Sequence, residues 1–162
     1  MAKTKTFLTF SVENEMFAVD VNQVYQVIRN TDITAIPKSA DYIIGIKNFR
    51  GEIITILSAQ KKLNIKENAA VAKNVIVIFD LVFDDKHVAV GTIADKVHHV
   101  FEIKMSEIQA VPEFGSYFNP KYLKGVFKRN NLFFSILDVI KIFSEEEIEF
   151  IQDAARNNQI MA

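Results

Sequence analysis

The chain has 162 residues and contains no cysteine, no tryptophan, three prolines and five glycines. Without cysteine there is no disulfide framework, no thiolate zinc site and no thiol nucleophile. Five scattered glycines make neither a GxGxxG turn nor a P-loop, so no backbone cradle for phosphate is present. A G-x-S-x-G nucleophile elbow is also missing. No apolar run approaches the ~18 residues that cross a bilayer as a helix, so direct membrane insertion is not expected. Met1 to Thr6 carries charge with no apolar stretch after it, so no secretory signal is expected and the expected location is the cytoplasm. Charge of one sign is lacking too. The 19 basic and 20 acidic residues leave a net charge of −1, which cannot neutralise a run of phosphates and argues against nucleic acid as a partner.

What is present is apolar and β-forming. Hydrophobic residues make up 49% of the chain, with 14 phenylalanines. A chain of this length buries about 70% of its unfolded surface, enough for one packed domain over 1–162 without staples. The abundance of Val, Ile, Phe and Thr predicts many short strands and few helices, an all-β class.

Residue alternation places the elements. Thr6 to Val12 alternates strictly and, with Met16 to Val19, predicts a hairpin about the polar turn Glu13-Asn14-Glu15. Asp20 and Gln23 have capping-box spacing, predicting a short helix to about Gln26 with Val24, Val27 and Ile28 on its apolar side. Ile43 to Lys47 and Glu52 to Leu57 read as strands about Asn48-Phe49-Arg50-Gly51, followed by a helical turn over Ser58 to Leu63. Ile65 to Ala72 reads as a loop. Lys73 to Leu81 and Lys86 to Ile93 predict a hairpin turning at Asp84-Asp85. Val97, Val100 and Phe101 supply a further apolar element. Tyr122 to Phe127 and Leu132 to Leu137 pair about Asn130-Asn131, residues suited to positive φ. A last amphipathic helix over 144–156 starts at Ser144, with Glu145 to Glu147 in its first turn and Ile148, Ile151 and Ala155 on one face.

The chain repeats itself. Gly45-Ile46, Ile53 to Leu57 and Lys61-Lys62-Leu63 fall on Gly125-Val126, Phe133 to Leu137 and Lys141-Ile142-Phe143 at a constant shift of 80. Ala18-Val19 and Val24, Val27 match Ala89-Val90 and Val97, Val100 at shifts of 71 and 73, which requires a two-residue insertion. Duplication predicts two all-β lobes of about five strands each, with cores near 20–80 and 81–140 and the N-terminal strands completing the second. An apolar groove between them would accept a partner helix.

No catalytic constellation emerges. His98 and His99 are adjacent and point to opposite faces of any strand, so they read as solvated residues and not as a metal pair. His87 stands alone. Asp80, near Asp84 and Asp85, is the one candidate phosphoacceptor, but that chemistry sits on a parallel α/β sheet, which hairpins do not make. Gly115-Ser116 has no base beside it. Lys61-Lys62 and Lys121, Lys124, Lys128, Arg129 read as solvated hairpin faces. Arg50, fixed on a turn by Gly51, could give a bidentate contact to a carboxylate or stiffen the turn internally.

The stretch Gly45-Ile46-Lys47-Asn48-Phe49-Arg50-Gly51 resembles the CheW family signature Gly-x-x-Asn-Leu-Arg-Gly, and the resemblance runs from about Thr6 to Phe150. It includes Phe17 to Asp20 with Val24, Val90-Gly91 with Asp95 and Val100, Ala110 to Phe114, and Tyr122 to Gly125. The resemblance implies two SH3-like five-stranded β-barrels. It implies a non-enzymatic, cofactor-free adaptor joining methyl-accepting chemoreceptor tips to the regulatory domain of the histidine kinase CheA. Such an adaptor is monomeric alone and forms rings in arrays. It implies that Arg50, with Val24 and nearby residues, faces the receptor, that Gly45, Gly51, Gly91 and Val100 serve coupling, and that Gln26, Val27, Asn48, Phe49 and Val97 belong to the receptor or kinase contact surface. The chain departs from the pattern at Gln26 (commonly Glu), Thr55 (commonly Pro) and Ser58-Ala59 (commonly Asp-Leu). These departures leave open a paralogue in a non-flagellar system, or an SH3-like module for unrelated peptides.

Overall fold

The computed structural model describes residues 3–37, 40–111 and 120–142. Ten strands run in chain order: β1 (Thr4–Val12), β2 (Glu15–Asp20), β3 (Val24–Arg29), β4 (Ile43–Phe49), β5 (Glu52–Leu57), β6 (Val75–Phe83), β7 (Lys86–Ala94), β8 (Lys96–Lys104), β9 (Leu123–Arg129) and β10 (Leu132–Leu137). One short helix, α1 (Ala59–Lys62), follows β5. The predicted helix after Asp20 is a single 3-10 turn, Val21–Gln23. Asp20 caps it as expected, accepting from the Asn22 N–H at 2.9 Å. The chain then extends, because Val24, Val27 and Ile28 find partners on β6, and tertiary pairing outweighs a local helix signal. The predicted 144–156 helix lies outside the described residues.

The strands form two five-stranded sheets, ordered β3-β6-β7-β5-β4 and β8-β1-β2-β10-β9. The first sheet therefore runs from Val24 to Ala94, and the boundary between lobes falls at Asp95 instead of between residues 80 and 81. Four two-residue hairpins turn at Glu13-Asn14, Arg50-Gly51, Asp84-Asp85 and Asn130-Asn131, all eight residues at positive φ. Such turns match the right-handed twist of the strands they join.

Each sheet curls until its edges meet. Beyond β3, Thr34 exchanges two backbone hydrogen bonds with Ile46 on β4, both 2.8 Å. Beyond β8, Gln109 does the same with Val126 on β9, at 2.8 and 2.9 Å. The repeat glycines stand beside these contacts. A Cβ on Gly45 would overlap the Thr34 carbonyl oxygen, and one on Gly125 would lie 2.8 Å from that of Gln109.

The duplication extends to single bonds. A shift of 80 carries β4 and β5 onto β9 and β10 residue for residue. It carries the Lys61 N–H bond to Ser58 Oγ (3.1 Å) onto the Lys141 N–H bond to Asp138 Oδ1 (3.2 Å). In the parallel pairs, Thr55 faces Val90 and Ser135 faces Phe17. Phe17 thus corresponds to Val90 at a shift of 73, the same shift that relates Val24 to Val97, and no insertion is needed.

Each lobe has its own interior: Ile54, Ile56, Ile76 and Ile78 in the first, and Phe7, Ile103, Phe127 and Phe134 with neighbours in the second. The largest cluster lies between the lobes, where Leu8, Phe10, Phe17 and Val19 meet Val77, Phe79, Leu81 and Val90. Strands such as β1 and β6 are buried on both faces, which explains the nearly unbroken apolar run of β6. The seam is thus a filled core and not the open groove expected from sequence. Among the described residues, a depression at its rim, lined by Tyr42, Leu57, Lys62, Leu137 and Ile142, encloses about 20 Å³, room for a single water.

Two buried threonines have opposite fates. Thr9 Oγ1 donates to the His99 carbonyl (2.7 Å) and accepts from the His99 N–H (2.8 Å), repairing a bulged stretch of the β1–β8 ladder. Thr55 Oγ1 is buried and has no hydrogen-bond partner among the described residues. Denaturant melts are expected to show Thr9→Val losing about 1–3 kcal/mol and Thr55→Val gaining about 1 kcal/mol. Equal effects of the two substitutions would contradict this account.

Candidate protein-interaction site

The β4–β5 hairpin ends at Phe49-Arg50-Gly51-Glu52. Asn48 Oδ1 accepts from the Gly51 N–H at 3.0 Å and closes the turn. Gly51 has φ +82°, which suits glycine, but Arg50 is also left-handed at φ 54°. For a residue with a Cβ this costs roughly 1 kcal/mol. The guanidinium carbon of Arg50 sits 4.9 Å from the Phe49 ring centroid. Phe49 in turn meets the edge of Tyr25, with centroids 6.1 Å apart and planes at 89°. Tyr25 belongs to β3, at a bulge where the register passes from Val24–Phe79 to Gln26–Ile78. Two distant segments therefore build one surface: a half-exposed tyrosine, a ring wedged behind it and a cation on top.

Among the described residues, no carboxylate pairs with Arg50 and no hydrogen bond joins it to Gln26. The corresponding turn of the second lobe is different. There Arg129, one position before Asn130-Asn131, donates to both carboxylate oxygens of Glu107 at 3.0 and 3.3 Å. The second lobe neutralises its turn arginine internally and the first does not.

The other sequence candidates separate by burial. Val24, Val27 and Val97 lean on the seam core. Gly45 serves barrel closure. Gly91 makes room inside the first barrel, where a Cβ would come within 2.9 Å of both Ile56 Cδ1 and Ile76 Cγ2. Val100 is 58% exposed, on an edge strand of the other sheet. Asn48, Phe49, Arg50 and Gly51 share one turn, with Gln26 next to Tyr25 on β3. Tyr25 is the residue that sequence reading missed, because a bulge leaves no mark in residue alternation.

The remaining candidates have structural settings. Asp80 faces Ala89 across an antiparallel hairpin and pairs with His87 at 3.0 Å, so it does not sit in the parallel α/β frame that a phosphoacceptor needs. His99 stacks on Phe101 at 5.5 Å. His98 is not the solvated residue expected: it is half-buried, with Nε2 3.0 Å from Ser11 Oγ. Among the described residues no three potential ligands gather around a metal position. Lys128 lies over Phe133 and Lys62 over Tyr42, so the basic groups are locally engaged. Gly115-Ser116 lies outside the described residues.

Burial, and next the Lys96 charge, hold the His98 imidazole below its ordinary value, against a weaker opposing pull from Asp95. The unfolded chain then binds this proton more readily than the fold. The stability involved is fully present above the ordinary value near 6.5 and is lost as pH falls below it. Thermal melts at pH 7.5 and 5.5 are expected to show a larger acid-side fall for the natural chain than for His98→Gln. Identical falls would remove His98 from this role.

A pair of closed β-barrels sharing an apolar seam, with an exposed turn arginine on an aromatic shelf, defines a scaffold domain that works through its surfaces. The CheW-like domain model matches residues 6–147. The chain is 31% identical over 141 residues to the chemotaxis protein CheW of Thermotoga maritima, covering 85% of this chain and 87% of that one. It is 24% identical over 142 residues to that of Treponema pallidum, covering 88% and 84%. The crystal structure of the scaffolding protein TtCheW from Thermoanaerobacter tengcongensis superposes with a TM-score of 0.77 at 25% identity, covering 89% of this chain and 90% of that one. The chain belongs to the CheW-like domain family and is a chemotaxis adaptor.

Proposed function

We propose that the surface formed by Tyr25, Gln26, Phe49 and Arg50 on the first lobe receives the helical tip of a chemoreceptor. The second lobe, with Val100 exposed on β8, is left for the regulatory domain of a CheA-type kinase. The chain makes and breaks no bond. It acts in the cytoplasm by holding two partners in a geometry that favours one kinase conformation over another. It is a monomer alone and joins rings in arrays. The observation that carries this reading is the state of Arg50, an exposed turn cation that rests on the Phe49 ring and pairs with no carboxylate among the described residues. The positive φ belongs to the hairpin turn, as in the three sister turns, and the guanidinium held there offers a planar fork to carboxylate or carbonyl groups. With Gln26 in place of the commoner Glu, β3 supplies no carboxylate beside Tyr25.

The filled seam favours this outer shelf over an interior groove as the receptor contact. Arg50→Asn is the informative substitution, because Asn tolerates positive φ as Asn130 does in the sister turn. Pull-down or titration with receptor tip fragments is expected to show at least tenfold weaker binding for Arg50→Asn, and severalfold weaker binding for Tyr25→Ala. Melting of Arg50→Asn should stay at or above that of the natural chain. Undiminished coupling by a folded Arg50→Asn variant would overturn the assignment.

A further inference from the structure

Glu13 stands where the other hairpins place Arg50, Asp84 and Asn130, which are all exposed. Glu13 is 8% exposed as a residue and its side chain 2%, at φ 52°. A carboxylate persists at such a site only when other groups compensate it. Its compensation comes from the connection between α1 and β6, on the opposite lobe. Glu13 Oε2 accepts from the Asn68 N–H at 2.8 Å, and Oε1 lies 3.4 Å from Lys73 Nζ. Lys73 also pairs with Glu67 at 2.8 Å, and its carbonyl accepts from the Asn30 side chain at 2.9 Å.

Asp95, 6% exposed, holds the same turn from the junction between the lobes. Its carboxylate accepts from the Glu13 and Asn14 N–H groups at 3.0 and 2.8 Å. Its own N–H donates to the Ser11 carbonyl at 2.8 Å, and its carbonyl accepts from the Asn74 N–H at 3.2 Å. A pocket of about 180 Å³ lies among these groups, where Glu13, Glu67, Lys73 and Asp95 meet the apolar Val12 and Ile93. Polar bonds therefore join the lobes here, in contrast to the apolar seam.

We propose that the connection Asn64 to Asn74 is a strap latched to the second lobe through the buried Glu13 carboxylate, and that this latch fixes the relative orientation of the two lobes. The strap continues directly into β6, the neighbour of β3, so the latch acts one strand away from Tyr25. The latch bears on orientation and leaves the integrity of each barrel to the closing bonds at Thr34–Ile46 and Gln109–Val126.

The absence of cysteine makes the test direct. Glu52→Cys and Leu132→Cys place one spin label on each lobe, at exposed positions related by the 80-residue shift. In the full-length chain the inter-label distance distribution is expected to be narrow, and to broaden at least twofold when Glu13→Ala is added. The Asn68 amide should exchange with deuterium at least tenfold faster, while β9–β10 amides change less than twofold. Should Glu13→Ala fail to fold, Lys73→Met carries the test. It strands the carboxylate without its counter-charge and is expected to broaden the distribution, with Glu13→Gln added in the same background recovering part of the width. An unchanged distance distribution in the folded variants, or an Asn68 amide that exchanges at the same rate, would overturn the proposal.

Discussion

The architecture depends on one contact made twice: a pair of backbone hydrogen bonds that joins the two edges of each sheet. Thr34 with Ile46, and Gln109 with Val126, turn five-stranded sheets into barrels. The approach is close enough that only hydrogen fits on Cα of Gly45, and a Cβ on Gly125 would press on the facing carbonyl. Closure satisfies the edge groups that would otherwise template aggregation. It also decides where the second apolar face of each sheet goes. A barrel this small fills its interior with one face of each strand, and the outward face of β1, β2, β6 and β7 must be covered by something. The sister lobe covers it.

That division gives the chain a symmetric frame with unequal ends. The β4–β5 and β9–β10 hairpins correspond residue for residue, down to the helical turn capped by Ser58 in one and Asp138 in the other. Their surfaces have nonetheless diverged. Arg129 is engaged by Glu107, whereas Arg50 rests on an aromatic ring and pairs with no carboxylate among the described residues. The two arginines stand one position apart in the repeat, Arg50 opposite Asn130 and Arg129 opposite Phe49, and the surrounding side chains decide whether each is spent internally or left for another molecule.

Most of the frame was legible in the sequence because its signals are periodic or conformational. Strands buried on one or both faces show as alternation or as apolar runs, and short polar turns, with Asn130-Asn131 suited to positive φ, mark the hairpins between them. The constant shift of 80 exposed the duplication. What stayed hidden depends on three-dimensional pairing. A capping box at Asp20 reads as a helix until β6 claims Val24, Val27 and Ile28. The seam read as a groove because a sequence shows that two apolar faces exist, not that they face each other. The site was half legible: Asn48 to Gly51 carried a motif, but Tyr25 reaches Phe49 only through a bulge. Gly45 and Gly91 were read toward coupling, and the packing around each gives it a structural reason to be glycine.

The departures from the family pattern can be weighed the same way. Ser58 replaces the commoner Asp at a helix N-cap, where either side chain accepts the Lys61 N–H, and the sister lobe keeps Asp138 at the equivalent position. Ala59 is as buried as its counterpart Val139, so the loss of a longer apolar residue there costs packing volume and not burial. Thr55 restores an N–H where Pro has none, inside a strand flanked on both sides by β4 and β7, at the expense of one unsatisfied hydroxyl. None of these three changes reaches the Tyr25–Phe49–Arg50 shelf. Gln26 is different, because it borders that shelf and removes the negative charge nearest in sequence to its tyrosine. The fold therefore tolerates three departures as local exchanges, while the fourth alters the charge that an incoming partner meets.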